Sequence, residues 1–187
     1  MKRKLSTYPE EDKLIASAIS KMACLSVQDM QNMPHDIEHF MKVWAFANMI
    51  GRKSDLDEKT QQTLDLAAIV HDIACPLCRK KYGNASGKHQ EEESEPLVRE
   101  FFAALGEEWI DVERIVFLVT HHHTYTDIDG IDYQILLEAD FLVNAEESNY
   151  SKDTIISARD KFFKTELGID LINSMLAKFA QTTQVQS

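Results

Sequence analysis

Residues that form turns are scarce in this chain, which has six glycines and four prolines among its 187 residues. The common β-sandwiches and other all-β folds use more glycine and proline than this, so the composition favours helices over strands. Apolar residues make up 44% of the chain and charged residues 27%, as in an ordinary globular protein. The length suits one domain with a substantial core.

Long apolar runs are also missing, since none approaches the roughly 20 residues that a membrane span needs. The N-terminal stretch up to Pro9 is basic, but no apolar segment follows it, so it does not resemble a secretory signal. Three cysteines are an odd number and do not make the disulfide framework of a secreted protein. We therefore expect a cytoplasmic protein that does not bind membranes.

Basic residues are outnumbered, with 20 lysines and arginines against 31 acidic residues and a net charge of -11. Proteins that bind nucleic acid polymers usually present a basic surface, so we do not expect such a partner. An acidic balance fits a protein that collects a divalent cation, but solubility alone explains it equally well.

Helical periodicity dominates the chain, and alternation typical of strands is nowhere sustained. The pattern predicts one all-α domain over residues 1–187, with a core at about 35–145 and C-terminal helices at 150–181 packed on it. We expect these last helices to close the bundle or to form a homodimer contact. The predicted helices lie at about Pro9–Cys24, His35–Gly51, Asp57–Ala74, His89–Leu105, Trp109–His122, Asp132–Asn144, Asp153–Leu167 and Asp170–Ala180, with a polar loop at Arg79–Lys88.

Histidine and aspartate occupy positions on these helices where helical periodicity predicts apolar side chains. A lone histidine on an apolar face is more often a hydrogen-bonded core residue than a ligand. A buried aspartate, in contrast, needs a cation or strong donors. Imidazole and carboxylate ligands together suit Fe, Mn, Co, Ni or Zn, and one cation would compensate both carboxylates. Pairing of the aspartates with Lys or Arg is the structural alternative. The residues concerned are His39, His71, Asp72, His122 and Asp140.

The order of four of these residues resembles the H…HD…D pattern of the HD superfamily of metal-dependent phosphohydrolases. The flanking residues are similar as well, and the resemblance covers about Asp36 to Val143. It implies an all-α bundle of the HD type. The segments that carry it are HDIEHFMKV at 35–43, LAAIVHDI at 66–73 and LLEADFL at 136–142.

The resemblance also implies a set of metal ligands. The first divalent metal would be bound by His39, His71, Asp72 and Asp140. Asp72 would bridge to a second metal if one binds, and Mg is a further candidate ion. Some branches of the superfamily add histidines, for which the candidates in this chain are His89, His122 and His123. The alternative for His89, equally well supported, is a solvated surface histidine.

The implied activity is hydrolysis of a phosphate ester, a nucleotide or a related small molecule, by water that the metal activates. Asp72 is an expected catalytic residue, and His122 or His123 would bind a second metal or assist proton transfer.

The chain departs from many relatives directly after the HD pair. Those relatives carry Gly and Lys there, whereas this sequence has Ile-Ala-Cys-Pro at 73–76. We therefore expect Arg79, Lys80 and Lys88 to bind phosphate instead. The same departure motivates an alternative, a non-catalytic sensor that binds a metal or a nucleotide on the same fold.

Cys75 and Cys78 form a CxxC motif, which raises a redox or zinc interpretation. A thioredoxin-like motif belongs in a βαβ context, which the helical pattern does not provide. A closed zinc site needs a second pair of ligands, and Cys24 is the one cysteine left. Packing of two small side chains behind the site is the simpler interpretation.

Overall fold

The computed structural model describes residues 10–106 and 110–182, in which all the regular structure is helical. The predicted all-α fold class is therefore confirmed. None of the helices in these ranges combines the length and the apolar content of a membrane span. The described helices are α1 (Glu10–Ser26), α2 (Met33–Lys53), α3 (Glu58–Val70), α4 (Cys75–Tyr82), α5 (Gly87–Ala103), α6 (Val112–His121), α7 (Ile131–Glu147), α8 (Lys152–Phe162) and α9 (Glu166–Thr182).

Helices α2, α3 and α7 form the centre of the bundle. α2 packs against both α3 and α7, and α6 contacts α3 from the other side. α7 is buried over most of its length, and its buried positions include polar ones, among them Asp132, Gln134, Glu138 and Asp140. Because buried polar groups need partners, this helix determines where polar groups of other elements must lie.

The predicted third helix, about Asp57–Ala74, extends too far at its C-terminal end. Asp57 is the N-cap of α3, where its carboxylate accepts hydrogen bonds from two backbone N–H groups of the first turn. The helix ends at Val70. Pro76 keeps α3 and α4 from forming one continuous helix, because its ring would clash with the carbonyl of Asp72, four residues earlier. The chain turns over residues 71–74 and begins α4 with Pro76 in the first turn.

Helix α4 was not predicted, because the polar residues after Pro76 suggested a loop. The actual connection is short and begins at Gly83, which caps α4 with a positive φ of 74°.

Other boundaries differ from the predicted ones for local reasons. α6 begins at Val112, with Asp111 as its N-cap, and the expected start at Trp109 lies outside the described residues, as does Pro9. α8 ends at Phe162 instead of Leu167. A new helix begins at Glu166 because the Thr165 hydroxyl accepts a hydrogen bond from the N–H of Gly168, which is typical of an N-cap.

A buried carboxylate on α7 holds the connection between α8 and α9. Glu138 is fully buried and accepts hydrogen bonds from the backbone N–H groups of Lys164 and Thr165, at 2.6 and 3.0 Å. The Thr165 hydroxyl and the Gln134 amide donate to the same carboxylate. A Cβ at Gly168 would lie 2.0 Å from Glu138 Oε2, so only glycine allows this close approach.

Replacement of Glu138 by alanine is expected to lower the free energy of unfolding by about 2 to 4 kcal/mol, because it leaves several buried donors without an acceptor. Chemical denaturation measures this loss. The control is Glu146→Ala on the exposed side of the same helix, with an expected change within about 0.5 kcal/mol. Equal effects of the two substitutions would contradict a structural role for the Glu138 carboxylate.

Candidate metal centre

Five histidines and aspartates from four parts of the chain meet in the interior of the bundle. His39 comes from the middle of α2, His71 and Asp72 from the turn after α3, His122 from the end of α6, and Asp140 from α7. The histidines and Asp140 are buried, with 4% or less of their surfaces exposed. The Asp72 side chain retains 25% exposure, so the cluster opens to solvent on the side of this carboxylate.

The distances within the cluster match those between ligands of one metal ion. His39 Nε2 lies 3.2 Å from His71 Nε2, and Asp140 Oδ1 lies 3.3 and 3.5 Å from the same two nitrogens. Ligand atoms around an ion with bonds of about 2.1 Å are separated by about 3.0 to 3.4 Å. These three residues therefore fit a single cation without rearrangement.

A second group of ligand atoms shares His71 with the first. It consists of His71, Asp72 and His122, and its ligand atoms lie within 4.8 Å of one another. Asp72 Oδ2 is 3.5 Å from His39 Nε2, and Asp72 Oδ1 is 3.4 Å from His122 Nε2. Asp72 thus lies between the two groups, the position in which one carboxylate can serve two ions.

Each histidine of the cluster is oriented by a partner on its other ring nitrogen. Nδ1 of His71 lies 2.8 Å from the carbonyl of Ala68, and Nδ1 of His122 lies 2.7 Å from the carbonyl of Val119. Because a carbonyl accepts only, Nδ1 carries a proton, and Nε2 faces the centre, where it can bind a metal ion in place of any proton of its own. Nδ1 of His39 lies 2.8 Å from Glu147 Oε2, which has the same effect.

Two buried atoms of the cluster have no hydrogen-bond partner among the described residues. They are Asp140 Oδ2 and His122 Nε2. An unpaired buried carboxylate oxygen costs several kcal/mol, so such an atom calls for an explanation. A bound cation is the explanation that satisfies both atoms at once.

The charges of the cluster also favour a bound cation. Burial lowers the pKa of His39, but Asp140 and Asp72 outweigh burial and raise the pKa to about 10. Burial opposes ionisation of the two aspartates, yet the surrounding imidazoles keep the pKa of each below its usual range. The carboxylates therefore stay charged in the interior and attract a positive charge.

His123 lies beside the cluster without belonging to either ligand group. Its ring centroid is 4.0 Å from that of His122, and its Nε2 is buried without a hydrogen-bond partner among the described residues. Burial, together with the neighbouring His122, lowers the pKa of His123 to about 4. Glu91 accepts a hydrogen bond from the His123 N–H and holds the backbone in place.

His89, the other candidate ligand, is on α5 and outside both ligand groups. Its ring stacks on Tyr82 with centroids 3.9 Å apart, and its Nδ1 is buried without a hydrogen-bond partner among the described residues. Two residues earlier, a Cβ at Gly87 would lie 2.6 Å from the His123 ring, so the start of α5 packs directly against that histidine. A role for His89 as a ligand stays a prediction.

The three cations expected to bind phosphate are placed differently. Arg79 donates to Asp29 at 2.8 Å and also pairs with Asp36, so its charge is already compensated. Arg79 and Lys80 line a cavity of about 760 Å³ between α1, α4 and α5. The side chain of Lys88 is 82% exposed and lies 3.8 Å from Glu92. The binding of phosphate by these residues stays a prediction, and Arg79 is the least suited of them.

Three residues that orient the ligands were missed in the sequence. Asn144 donates to Asp140 Oδ1 at 2.8 Å, and Glu147 bonds His39 while it pairs with Lys42 at 2.9 Å. A signal for two of them was available, since Asn144 and Glu147 follow Asp140 by four and seven residues and share its helix face.

Among the described residues, the CxxC cysteines form neither a disulfide nor part of a metal-ligand group. Cys75 and Cys78 are free thiols buried in α4, and Cys24 is exposed on α1. Neither ligand group found among the described residues includes a cysteine. Burial raises the pKa of the Cys75 and Cys78 thiols, which keeps them protonated. Both observations favour packing as their role.

An all-α bundle with a buried His and Asp cluster defines a class of metal-binding helical domains. The sequence model of the HD domain family matches residues 36–164. The chain therefore belongs to the HD domain family, whose members bind divalent metal ions and include metal-dependent phosphohydrolases.

A solved structure has the same fold. It is that of a predicted HD superfamily hydrolase from an uncultured Thermotogales bacterium, with a TM-score of 0.62 and 19% sequence identity over 90% of each chain. No curated protein matches the sequence significantly.

Replacement of Glu147 by glutamine is expected to weaken metal binding by about 10- to 100-fold, because a neutral amide is a weaker acceptor than a carboxylate for the Nδ1 proton of His39 and orients the ring less firmly. Competition of the purified protein with a chelator for Mn²⁺ or Zn²⁺ measures the affinity. Glu38→Gln, an exposed position next to His39, is the control and should leave the affinity unchanged. Unchanged affinity in Glu147→Gln would show that Glu147 does not orient a metal ligand.

Proposed function

We propose that this protein is an enzyme, a metal-dependent phosphohydrolase that cleaves a small phosphate ester, with nucleotides as the favoured class. The observation that carries the proposal is the common orientation of His39, His71 and His122. Each binds the protein through Nδ1 and turns Nε2 toward two carboxylates in the interior. Three Nε2 atoms that converge on the same pair of carboxylates form the ligand arrangement of a metal ion, which a core that needed only satisfied histidines would not require.

The first ion would be held by His39, His71, Asp72 and Asp140. His122 would join His71 and Asp72 around a second ion. A divalent metal held here would supply positive charge to a phosphoryl oxygen and would lower the pKa of a water molecule to about 7. Two carboxylates and neutral imidazoles suit Mn, Fe, Co, Ni or Zn, and Mg is less suited because it prefers oxygen ligands.

Asp72 and His123 have further roles in the proposed reaction. Asp72 is the ligand with an exposed side, so substrate would approach over its carboxylate. His123 is uncharged at neutral pH, because its pKa is near 4, and its free Nε2 can accept a hydrogen bond. Because a base with so low a pKa takes up few protons at neutral pH, His123 suits a hydrogen-bond acceptor that orients the attacking water better than an acid toward the leaving group.

The replacement Asp72→Ala tests the metal site and the activity together. The wild-type protein is expected to contain one or two equivalents of metal and to release phosphate from members of an ester panel supplied with Mn²⁺ or Fe²⁺. Asp72→Ala is expected to lose both properties. Asp170→Ala, an exposed aspartate on α9, is the matched control and should keep both.

Two results would contradict the proposal in different ways. Full hydrolysis by Asp72→Ala would exclude this centre as the catalytic site. Metal and nucleotide binding without phosphate release by the wild type would instead support the sensor alternative on the same fold.

Replacement of His123 by alanine is expected to lower kcat by about 100-fold, because it removes the acceptor that orients the attacking water. Metal content measured on the same preparation should not change, since His123 lies outside both ligand groups. His121→Ala is the control, because that ring stacks on Phe117 and its Nδ1 bonds the Phe117 carbonyl. Loss of metal in His123→Ala would assign His123 to the ligands instead.

A further inference from the structure

A cavity of about 310 Å³ lies between helices α1, α2 and α3. We refer to it as the Asp65 cavity, after the buried aspartate that lines it. Its volume is at the lower end of the range of pockets that bind small molecules. None of the described residues that line it belongs to either ligand group of the metal centre. The Asp65 cavity is therefore a separate candidate site.

The carboxylate of Asp65 is buried without a positive charge beside it. With 4% of its surface exposed, Asp65 accepts hydrogen bonds from the amide of Asn48, at 3.1 and 3.0 Å, and from that of Gln61, at 3.2 Å. Both donors are neutral. In the described parts of the chain the carboxylate has no ion-pair partner, since Arg52, whose charge acts on it, pairs with Glu58 at 3.0 Å. Buried charges are usually paired, because an unpaired one destabilises the fold.

The Asp65 carboxylate can still accept a further hydrogen bond. Burial raises its pKa to about 6, while the hydrogen bonds from Asn48 and Gln61 oppose this increase. Most of the carboxylate is therefore ionised at pH 7. Its Oδ2 accepts one hydrogen bond among the described residues, that from Asn48, and so keeps a lone pair for another donor. A positively charged donor in the cavity would use this lone pair and compensate the charge.

Two buried donors at the same cavity have no hydrogen-bond partner among the described residues. They are Trp44 Nε1 and Gln62 Nε2, and both residues line the cavity. The indole N–H of Trp44 also opposes the increase in the pKa of Asp65, which places it close to that carboxylate. Because buried donors without an acceptor are destabilising, an occupant should carry an acceptor close to its positive charge.

The remaining lining residues favour a cation with an apolar body. Helix α1 contributes the side chains of Ile15 and Ile19, and Trp44 adds an indole ring. Three carboxylates and one guanidinium are present among the described lining residues. An ammonium is attracted both by this excess of negative charge and by the face of an indole.

We propose that the Asp65 cavity binds a small organic cation, a primary ammonium next to a hydroxyl or carbonyl oxygen, on an apolar body. The ammonium donates to Asp65, and the neighbouring oxygen accepts from Trp44 Nε1 or Gln62 Nε2. The apolar body packs between α1 and the Trp44 ring. This inference does not depend on the proposed function, because the metal centre contributes no residue to the cavity.

Two compounds that differ only in the ammonium group test this inference at pH 7, namely phenylalaninol and 3-phenylpropan-1-ol. In heteronuclear NMR the indole N–H signal of Trp44, assigned with Trp44→Phe, is expected to shift saturably with phenylalaninol. The alcohol should bind at least about 10-fold more weakly, because it cannot form a charge-assisted bond with the carboxylate. Asp65→Asn should weaken the binding of phenylalaninol by a similar factor. Asp170→Asn, at an exposed position of α9, is the control and should not.

The substitution Ala16→Phe tests the cavity without removal of a polar group. Ala16 is an exposed residue of α1 that lines the cavity, so a larger side chain there should fill the space and abolish binding. Ser17→Phe adds the same ring at the next exposed position, outside the lining, and should leave binding unchanged. The inference would be overturned by the absence of a saturable shift with phenylalaninol, by equal affinities for the two compounds, or by unchanged binding in Asp65→Asn or Ala16→Phe.

Discussion

The carboxylate of Asp140 lies in the interior of the bundle with 1% of the residue exposed, and its charge has to be compensated there. Without compensation such a group costs several kcal/mol. The imidazoles of His39 and His71 provide part of it, each brought by a different element of the bundle. The positions of the cluster residues thus depend on how α2 packs against α7 and on the turn after α3. A substitution that shifts one of these elements moves a ligand as well.

The inward position of the ligands could be predicted from the sequence because helical periodicity is local information. His39 and Asp140 stand on apolar stripes that are visible within a few turns of each helix, and the structure buries both. The all-α class followed from the same pattern, and the H…HD…D order led to the HD family. These inferences needed no knowledge of how the helices pack.

What depends on distant contacts could not be predicted. Glu147 bonds His39 across 108 residues of sequence, and Arg79 is paired with carboxylates 43 and 50 residues away. The helix face of Glu147 places it near the cluster but does not identify His39 as its partner, and nothing near Arg79 in the sequence indicates its two carboxylates. The phosphate role of Arg79 stays a prediction, made less favourable by these ion pairs. Helix α4 was missed for another reason. The residues after Pro76 are mostly polar, and Pro76 was interpreted as the start of a loop although it lies in the first turn of a helix.

The bond from Glu138 to the α8–α9 connection has a consequence for the smallest unit that can carry this site. The backbone N–H groups that satisfy Glu138 belong to Lys164 and Thr165, and the family match ends at the first of these two residues. A chain shortened there would leave that carboxylate short of donors, two positions from Asp140 on the same helix. The C-terminal helices therefore support the helix that carries Asp140, and the smallest unit that keeps this cluster intact extends beyond the end of the family match.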